Sequence, residues 1–173
     1  MRKITNINQN WNFVKDGVSQ TVNLPHTWNN LDGQGGADSY DRCRCVYEKS
    51  IPHFDGRVYL EINGANSSAT VFVNGKEVAQ HDGGYSTWRV NITNHLTEET
   101  EIAVIVENAV NETVYPQMAD FTFYGGIYRD VELIVTDKTT VSPLYYGTEG
   151  IIVVPSKVST ESVDGNISIA LLG

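Results

Sequence analysis

The sequence predicts an all-β fold: two antiparallel sheets packed as a sandwich, or one sheet rolled into a barrel. Three observations lead there. Hydrophobicity alternates with period two along most of the chain, and turns rich in Gly, Asn and Asp separate the alternating segments. No window carries apolar residues at i, i+3, i+4 and i+7 for three turns, so the alternating βαβ pattern of a parallel sheet is missing.

Taken in chain order, residues 19–24 and 43–49 are weak strand candidates. Val58, Leu60 and Ile62 then alternate with Tyr59, Glu61 and Asn63, the pattern of a half-buried strand. Thr70-Val71-Phe72-Val73, Asn74-Gly75 and Lys76-Glu77-Val78-Ala79 carry the strongest local signal. Asn-Gly tolerates positive φ at both central turn positions and so favours a two-residue type I′ hairpin. Residues 88–92 form a further weak strand. Residues 94–101 are the best helical candidate, but they are short and polar, worth one turn at most. Ile102, Val104 and Val106 mark a one-sided strand, as do Val131, Leu133 and Val135; residues 151–154 are weaker. Trp11, Phe13, Trp28, Tyr47, Phe72 and Trp88 are expected to fill much of the space between two sheets.

The 173 residues suit one domain plus a remainder. With 12 Lys+Arg against 21 Asp+Glu the net charge is −9 and no basic cluster interrupts it, which argues against nucleic acid as a partner. No apolar run approaches the ~20 residues of a membrane span, so no membrane partner is expected. Met1-Arg2-Lys3 is cationic, but Thr5-Asn6-Ile7-Asn8-Gln9-Asn10 follows where a secretory signal needs an apolar core; the expected location is the cytoplasm. Asn66, Asn91, Asn111 and Asn166 each begin an N-x-S/T pattern, read on that basis as chance. Cys43 and Cys45 flank Arg44, so in a strand both thiols leave one face. They read as inert buried thiols rather than metal ligands, because His26, His53, His81 and His95 are scattered singly. No metal and no cofactor is expected.

Residues 1–140 read as one β domain and residues 141–173 as something else. Val141-Ser142-Pro143 looks like a linker, followed by residues 151–154, a polar loop to Gly165, and Asn166-Ile167-Ser168-Ile169-Ala170-Leu171-Leu172. These strands could pair with the main sandwich. A second, incomplete β domain is the preferred expectation, because two or three strands cannot bury both faces of a sheet.

The chemistry is sparse. There is no G-x-S-x-G nucleophile motif, and the glycine loop Gly33-Gln34-Gly35-Gly36 has no helix after it to cradle a phosphate. Acidic residues abound, but spacing on a strand-rich chain cannot place two of them at the separation glycoside hydrolysis needs. The informative stretch is Asp120-Phe121-Thr122-Phe123-Tyr124-Gly125-Gly126-Ile127-Tyr128-Arg129-Asp130. Aromatic faces stack on sugar C–H faces, and a fixed carboxylate accepts from two adjacent hydroxyls. The other reading is a turn in which Gly125 and Gly126 adopt positive φ, Arg129 pairs internally and the aromatics are core.

Five motifs in order carry a resemblance. They are Leu24-Pro25-His26-Thr27-Trp28-Asn29; the strand at 58–64 with Ala65-Asn66; Val71-Phe72-Val73-Asn74-Gly75-Lys76; His81-Asp82-Gly83-Gly84-Tyr85-Ser86; and Asp120-Phe121 with Tyr124-Gly125-Gly126-Ile127-Tyr128-Arg129-Asp130-Val131. Over about residues 9–137 the chain resembles the N-terminal sugar-binding domain of glycoside hydrolase family 2, the β-galactosidase and β-glucuronidase family. The resemblance implies a galactose-binding-like jelly-roll sandwich, followed by an immunoglobulin-like domain that residues 141–173 would open, and then a TIM barrel. In the family both glutamates of the retaining mechanism lie in that barrel, so this segment alone is expected to be inactive and to hold no catalytic residue.

One functional residue carries over. The acidic residue six positions before the second glycine of the Gly-Gly-Ile turn binds hydroxyls of the terminal sugar, and here that is Asp120, a positioning carboxylate that transfers no proton. Tyr124, and Arg42 in the loop Tyr40-Asp41-Arg42-Cys43-Arg44-Cys45, are secondary substrate-contact candidates; many relatives have Gly where Cys43 stands. Arg129 is expected to hold the loop through an ion pair, with Gly125, Gly126, His26 and Trp28 as structural support. The implied partners are a terminal sugar of β-galactoside type and the rest of the protein's own chain, with homo-oligomers common among whole enzymes of the family. A self-sufficient carbohydrate-binding module with no hydrolase attached is the alternative, and a non-sugar adhesion sandwich the third reading.

Overall fold

The computed structural model describes residues 2–32, 41–115, 123–145 and 148–173, and every strand pairing in it is antiparallel. Four strands form one sheet in the order β1 (Lys3–Asn6), β10 (Val131–Thr136), β5 (Arg57–Ile62) and β8 (Trp88–Asn91). Six form the other, in the order β3 (Val18–Val22), β2 (Trp11–Lys15), β4 (Arg44–Pro52), β9 (Glu99–Glu107), β6 (Ser68–Val73) and β7 (Lys76–Asp82). The two sheets face each other across one core. From the six-stranded side come Trp11, Phe13, Tyr47, Val71, Val104 and Val106; from the other come Val58, Leu60, Ile62, Trp88 and Leu133. Each large side chain buried there contributes about 1.5–3 kcal/mol relative to exposure.

Register follows from alternation. Cys45 pairs with Val106 and Tyr47 with Val104, so inward positions meet inward positions across β4 and β9. The Asn74-Gly75 turn has φ of 49° and 76°, both positive as a type I′ hairpin requires. Asp16-Gly17 repeats the device between β2 and β3, with φ of 51° and 77°.

Several expectations are corrected. Phe72 does not enter the core: Val71 and Val73 point inward on β6, and Phe72 lies on the outer face of the six-stranded sheet beside Val46 and Ile105. The strand at β5 is buried on both faces rather than one, because Tyr59 and Glu61 on its second face are also covered. On the Glu61 side, chain beyond β11 (Thr140–Val141) takes part in the cover. Glu61 pairs with Arg89 of β8, whose Nη1 donates to the carbonyls of Pro143 (2.8 Å) and Thr148 (2.5 Å). The helical candidate at 94–101 reduces to a 3-10 turn over Thr93–His95, and β9 has begun by Glu99. The strands Lys3–Asn6 and Trp11–Lys15 were not among the expected ones.

The remaining strands make two small sheets of their own. β11 pairs with β14 (Leu171–Leu172), and β12 (Ile151–Val158) pairs with β13 (Val163–Ile169). The β12–β13 ribbon hydrogen-bonds to neither large sheet and leaves Val153, Val158, Val163 and Ile167 exposed.

Candidate functional site

At one end of the sandwich the loops around residues 24–32, 41–43, 63–67, 108–114 and 123–130 meet. They carry more polar side chains than a loop cluster can bury unless each finds a partner. Asn29 and Asn108 form the hub. Asn29 is completely buried, and its Oδ1 accepts the Gly125 amide at 2.7 Å and Asn108 Nδ2 at 3.1 Å. Its own Nδ2 donates to Asp32 Oδ2 (2.5 Å) and to the Asp41 carbonyl (2.8 Å), so both lone pairs and both N–H groups are used. Asn108 Nδ2 also reaches the Asp41 carbonyl at 3.1 Å, and its Oδ1 accepts the Cys43 amide at 2.8 Å. Four of the five segments are thereby stitched by two side chains.

The carboxylates here are committed. Asp32 accepts the Asp41 amide at 2.8 Å, and that bond, with the one from Asn29, holds its carboxyl below the usual carboxylate range. Asp41 lies 2.5 Å from Lys15 Nζ, a bond that raises the lysine. Neither is free to act as a general acid or base. Among the described residues no group of three or more His, Cys, Asp or Glu could hold a metal ion.

The Gly-Gly pair is required for two different reasons. A Cβ on Gly125 would lie 2.2 Å from the Trp28 ring, so the residue is glycine for space. Gly126 has φ of 121°, and its Cβ would meet the His26 carbonyl at 2.6 Å and Tyr47 Oη at 2.7 Å. Only Gly126 takes positive φ, which corrects the expectation for Gly125. Asn66 clamps the same turn by exchanging backbone hydrogen bonds with Gly126 and donating Nδ2 to the Tyr124 carbonyl at 3.0 Å.

His26 and Trp28 pack as well as bond. The His26 ring lies 4.6 Å from Phe13, and its Nδ1 is 2.8 Å from Tyr47 Oη. Tyr47 Oη also takes a hydrogen bond from the Ile127 backbone. Burial pushes the His26 pKa down, which keeps the ring neutral. Trp28 stacks on Phe13 at 6.3 Å and donates Nε1 to the Asp41 carbonyl at 3.3 Å. Arg129 supports the loop, but not through an ion pair among the described residues. Its Nη1 donates to the carbonyls of Tyr85 (2.9 Å) and Asn63 (3.3 Å), and its guanidinium lies over Tyr128. Asp130, its neighbour in the sequence, accepts from Asn8 Nδ2 at 2.7 Å.

A groove of about 380 Å³ opens beside this network, lined by Pro25, His26, Thr27, Asn30, Tyr124 and Tyr128. Tyr124 is 45% exposed on its wall. Arg42 is exposed at the other flank and donates Nη1 to the Asn108 carbonyl at 3.1 Å. A larger groove of about 620 Å³ crosses the outer face of the six-stranded sheet, away from every residue of the Gly-Gly turn. The loop end is the better candidate because polar donors, aromatic faces and a rigid backbone converge there. Asp120 and Phe121 lie outside the described residues, as do Gly33, Gln34, Gly35, Gly36 and Tyr40. The structure does bring Gly125, Gly126, His26, Trp28, Tyr124 and Arg42 to one end of the sandwich. Asn29, Asn108, Asp32 and Asp41 were not anticipated there. Asn29 and Asn66 stand inside two of the quoted motifs, the one signal that could have marked them.

Comparison with known proteins agrees with this geometry. The family described as glycosyl hydrolases family 2, sugar binding domain, matches residues 6–137. A β-glucuronidase of Bacteroides fragilis is 39% identical over 165 residues, 90% of this chain and 24% of that protein. A β-galactosidase of Thermoanaerobacterium thermosulfurigenes is 28% identical over 171 residues, 87% of this chain and 24% of that protein. The crystal structure of Bacteroides uniformis β-glucuronidase superposes with a TM-score of 0.87 at 30% identity, over 96% of this chain and 22% of that one. The chain thus spans about a quarter of the length of the curated relatives it matches.

Proposed function

Because the chain belongs to glycoside hydrolase family 2 through its sugar-binding domain, we propose that it positions the terminal sugar of a glycoside for a retaining exo-glycosidase. The reacting carboxylates of that enzyme belong to another part of the protein. Asp120 supplies the positioning carboxylate, accepting bonds from two hydroxyls of the sugar and thereby restricting how it sits before bond cleavage. The observation that carries this reading is the anchoring of the chain just downstream: five residues after Asp120, Gly125 is fixed by Asn29 at 2.7 Å, and Gly126 by Asn66. The turn that follows Asp120 in the sequence is thereby held by hydrogen bonds of its own, and a turn fixed before a ligand arrives has less ordering to undergo.

A β-glucuronide is the preferred substrate and a β-galactoside the second, since the Bacteroides fragilis β-glucuronidase shares more identity with this chain than the β-galactosidase does. This departs from the β-galactoside expected above and rests on those identities; the two sugars differ in the orientation of the C4 hydroxyl and in carrying a carboxylate or a hydroxymethyl group at C5. Residues 141–173 open an immunoglobulin-like domain, a reading supported by the exposed apolar side chains of the β12–β13 ribbon. The test is hydrolysis of nitrophenyl β-glucuronide and β-galactoside by the whole protein and by residues 1–173 alone. Activity confined to the whole protein and higher on the glucuronide agrees with the proposal. Turnover by residues 1–173 alone, or sugar binding with no turnover by the whole protein, overturns it.

A further inference from the structure

The thiols of Cys43 and Cys45 lie 3.5 Å apart on one side of the chain where it enters β4. They are unequal. Cys45 is fully buried in the core, whereas Cys43 is partly exposed just ahead of the strand. We propose that this pair is a site of oxidative modification, a dithiol that closes to an intrachain disulfide and in doing so loosens the Asn108 hub. The inference does not depend on the sugar-binding role.

Closure needs the two sulfurs to come from 3.5 Å to roughly 2.05 Å. Cys45 is held on all sides by the core, so the movement falls on Cys43. That residue is tied to the hub by its own backbone: its amide donates to Asn108 Oδ1 at 2.8 Å, and its carbonyl accepts the Asn108 amide at 3.3 Å. Drawing Cys43 toward Cys45 therefore strains both bonds, and through Asn108 Nδ2 it reaches the Asn29 oxygen that holds Gly125.

The chemistry balances with a peroxide as oxidant. The Cys43 thiolate attacks one peroxide oxygen, the O–O bond breaks, and the leaving hydroxide takes a proton to become water. The Cys45 thiolate then attacks the Cys43 sulfenic sulfur, the S–S bond forms, and a second water leaves. Burial raises both thiols, most at Cys45, so the reaction is slow at neutral pH and faster in mild alkali. Lys15 opposes that effect, while Asp41 and Asp16 add to it.

The intact chain is treated with diamide, which accepts the same two electrons and two protons, and is then unfolded and titrated for thiols. The expected result is loss of the free thiols of Cys43 and Cys45, with the peptide that carries them lighter by two hydrogen atoms, no covalent dimer, and full reversal by dithiothreitol. Amide hydrogen exchange at Cys43 and Gly125 is expected to speed up at least threefold or so in the oxidised chain. Cys43→Ser should show neither change. Two thiols surviving while the unfolded chain oxidises under the same conditions would overturn the dithiol. Oxidation with unchanged exchange at Gly125 would overturn its connection to the hub.

Discussion

The side-chain oxygen of Asn29, wholly buried, accepts the backbone N–H of Gly125 across 96 residues of sequence at 2.7 Å. That bond joins the loop after β3 to the turn that follows Asp120. Asn29→Ala would strand the Gly125 amide and one Asn108 N–H without acceptors and leave the Asp41 carbonyl with one donor fewer. Each stranded buried donor costs about 1–3 kcal/mol. The expected loss of unfolding free energy is about 2–4 kcal/mol by chemical denaturation, with accelerated exchange at Gly125. A loss below about 0.5 kcal/mol would show that the hub carries no load.

Gly125 and Gly126 should respond differently to the same change. Gly125→Ala drives a methyl into the Trp28 ring, a side chain that can be cut away, so Trp28→Ala should recover part of the loss. Gly126→Ala meets the backbone carbonyl of His26 as well as a forbidden φ, and no side-chain truncation relieves it. A double-mutant cycle is expected to give a favourable coupling of about 1 kcal/mol or more for Gly125→Ala with Trp28→Ala, and none for Gly126→Ala with Trp28→Ala.

The neutral state of His26 makes stability depend on pH. Burial lowers the folded pKa below the ordinary 6.5, so between those two values the unfolded chain binds more protons than the folded one. Stability then rises with pH through that window, is fully present above 6.5, and is lost as the pH falls beneath it. His81, stacked on Trp88 and also lowered by burial, contributes in the same direction. Each group adds at most about 1.4 kcal/mol per pH unit, less for partial burial. Denaturation midpoints from pH 7.5 to 5 should fall, and His26→Gln should flatten the slope. An unchanged slope in that variant would show that His26 is protonated equally in both states.

Glu61 and Arg89 form an ion pair in which both side chains are almost wholly buried, and Arg89 continues to the carbonyls of Pro143 and Thr148. Removing one partner leaves the other charge buried and alone, which costs about 3–5 kcal/mol. Arg89→Met should therefore destabilise by about that much and open the chain at Pro143 and at Thr148 to protease first. Equal cleavage rates in variant and parent would show that this segment is held by other contacts.

How much of this was legible from residues alone depends on how far each feature reaches. β9 alternates because one face meets the core, and that is written locally, whereas β5 alternates in sequence although both of its faces are covered. β3 was harder because it is exposed on both faces, so no alternation marks it. Phe72 was misplaced because Val71-Phe72-Val73 is apolar at consecutive positions, and a one-residue slip exchanges the faces. Pairing with β9, which sets Val71 beside Val104, decides the phase. The Gly-Gly turn was readable as a turn, but Asn29 and Asn108 were not readable as its support. They are 79 residues apart and polar, and nothing near either of them says that it is buried. The burial that keeps His26 neutral likewise comes from residues distant in sequence, Tyr47 among them, 21 residues away.

The most direct test concerns Asp120. In the whole protein, Asp120→Asn keeps the size of the side chain while removing the charge that accepts from sugar hydroxyls. Two charge-assisted hydrogen bonds together supply about 3 kcal/mol or more. The predicted result is a fall of about 100-fold or more in kcat/KM for hydrolysis of nitrophenyl β-glucuronide, with the thermal midpoint unchanged. A variant that hydrolyses within about twofold of the parent would contradict the account.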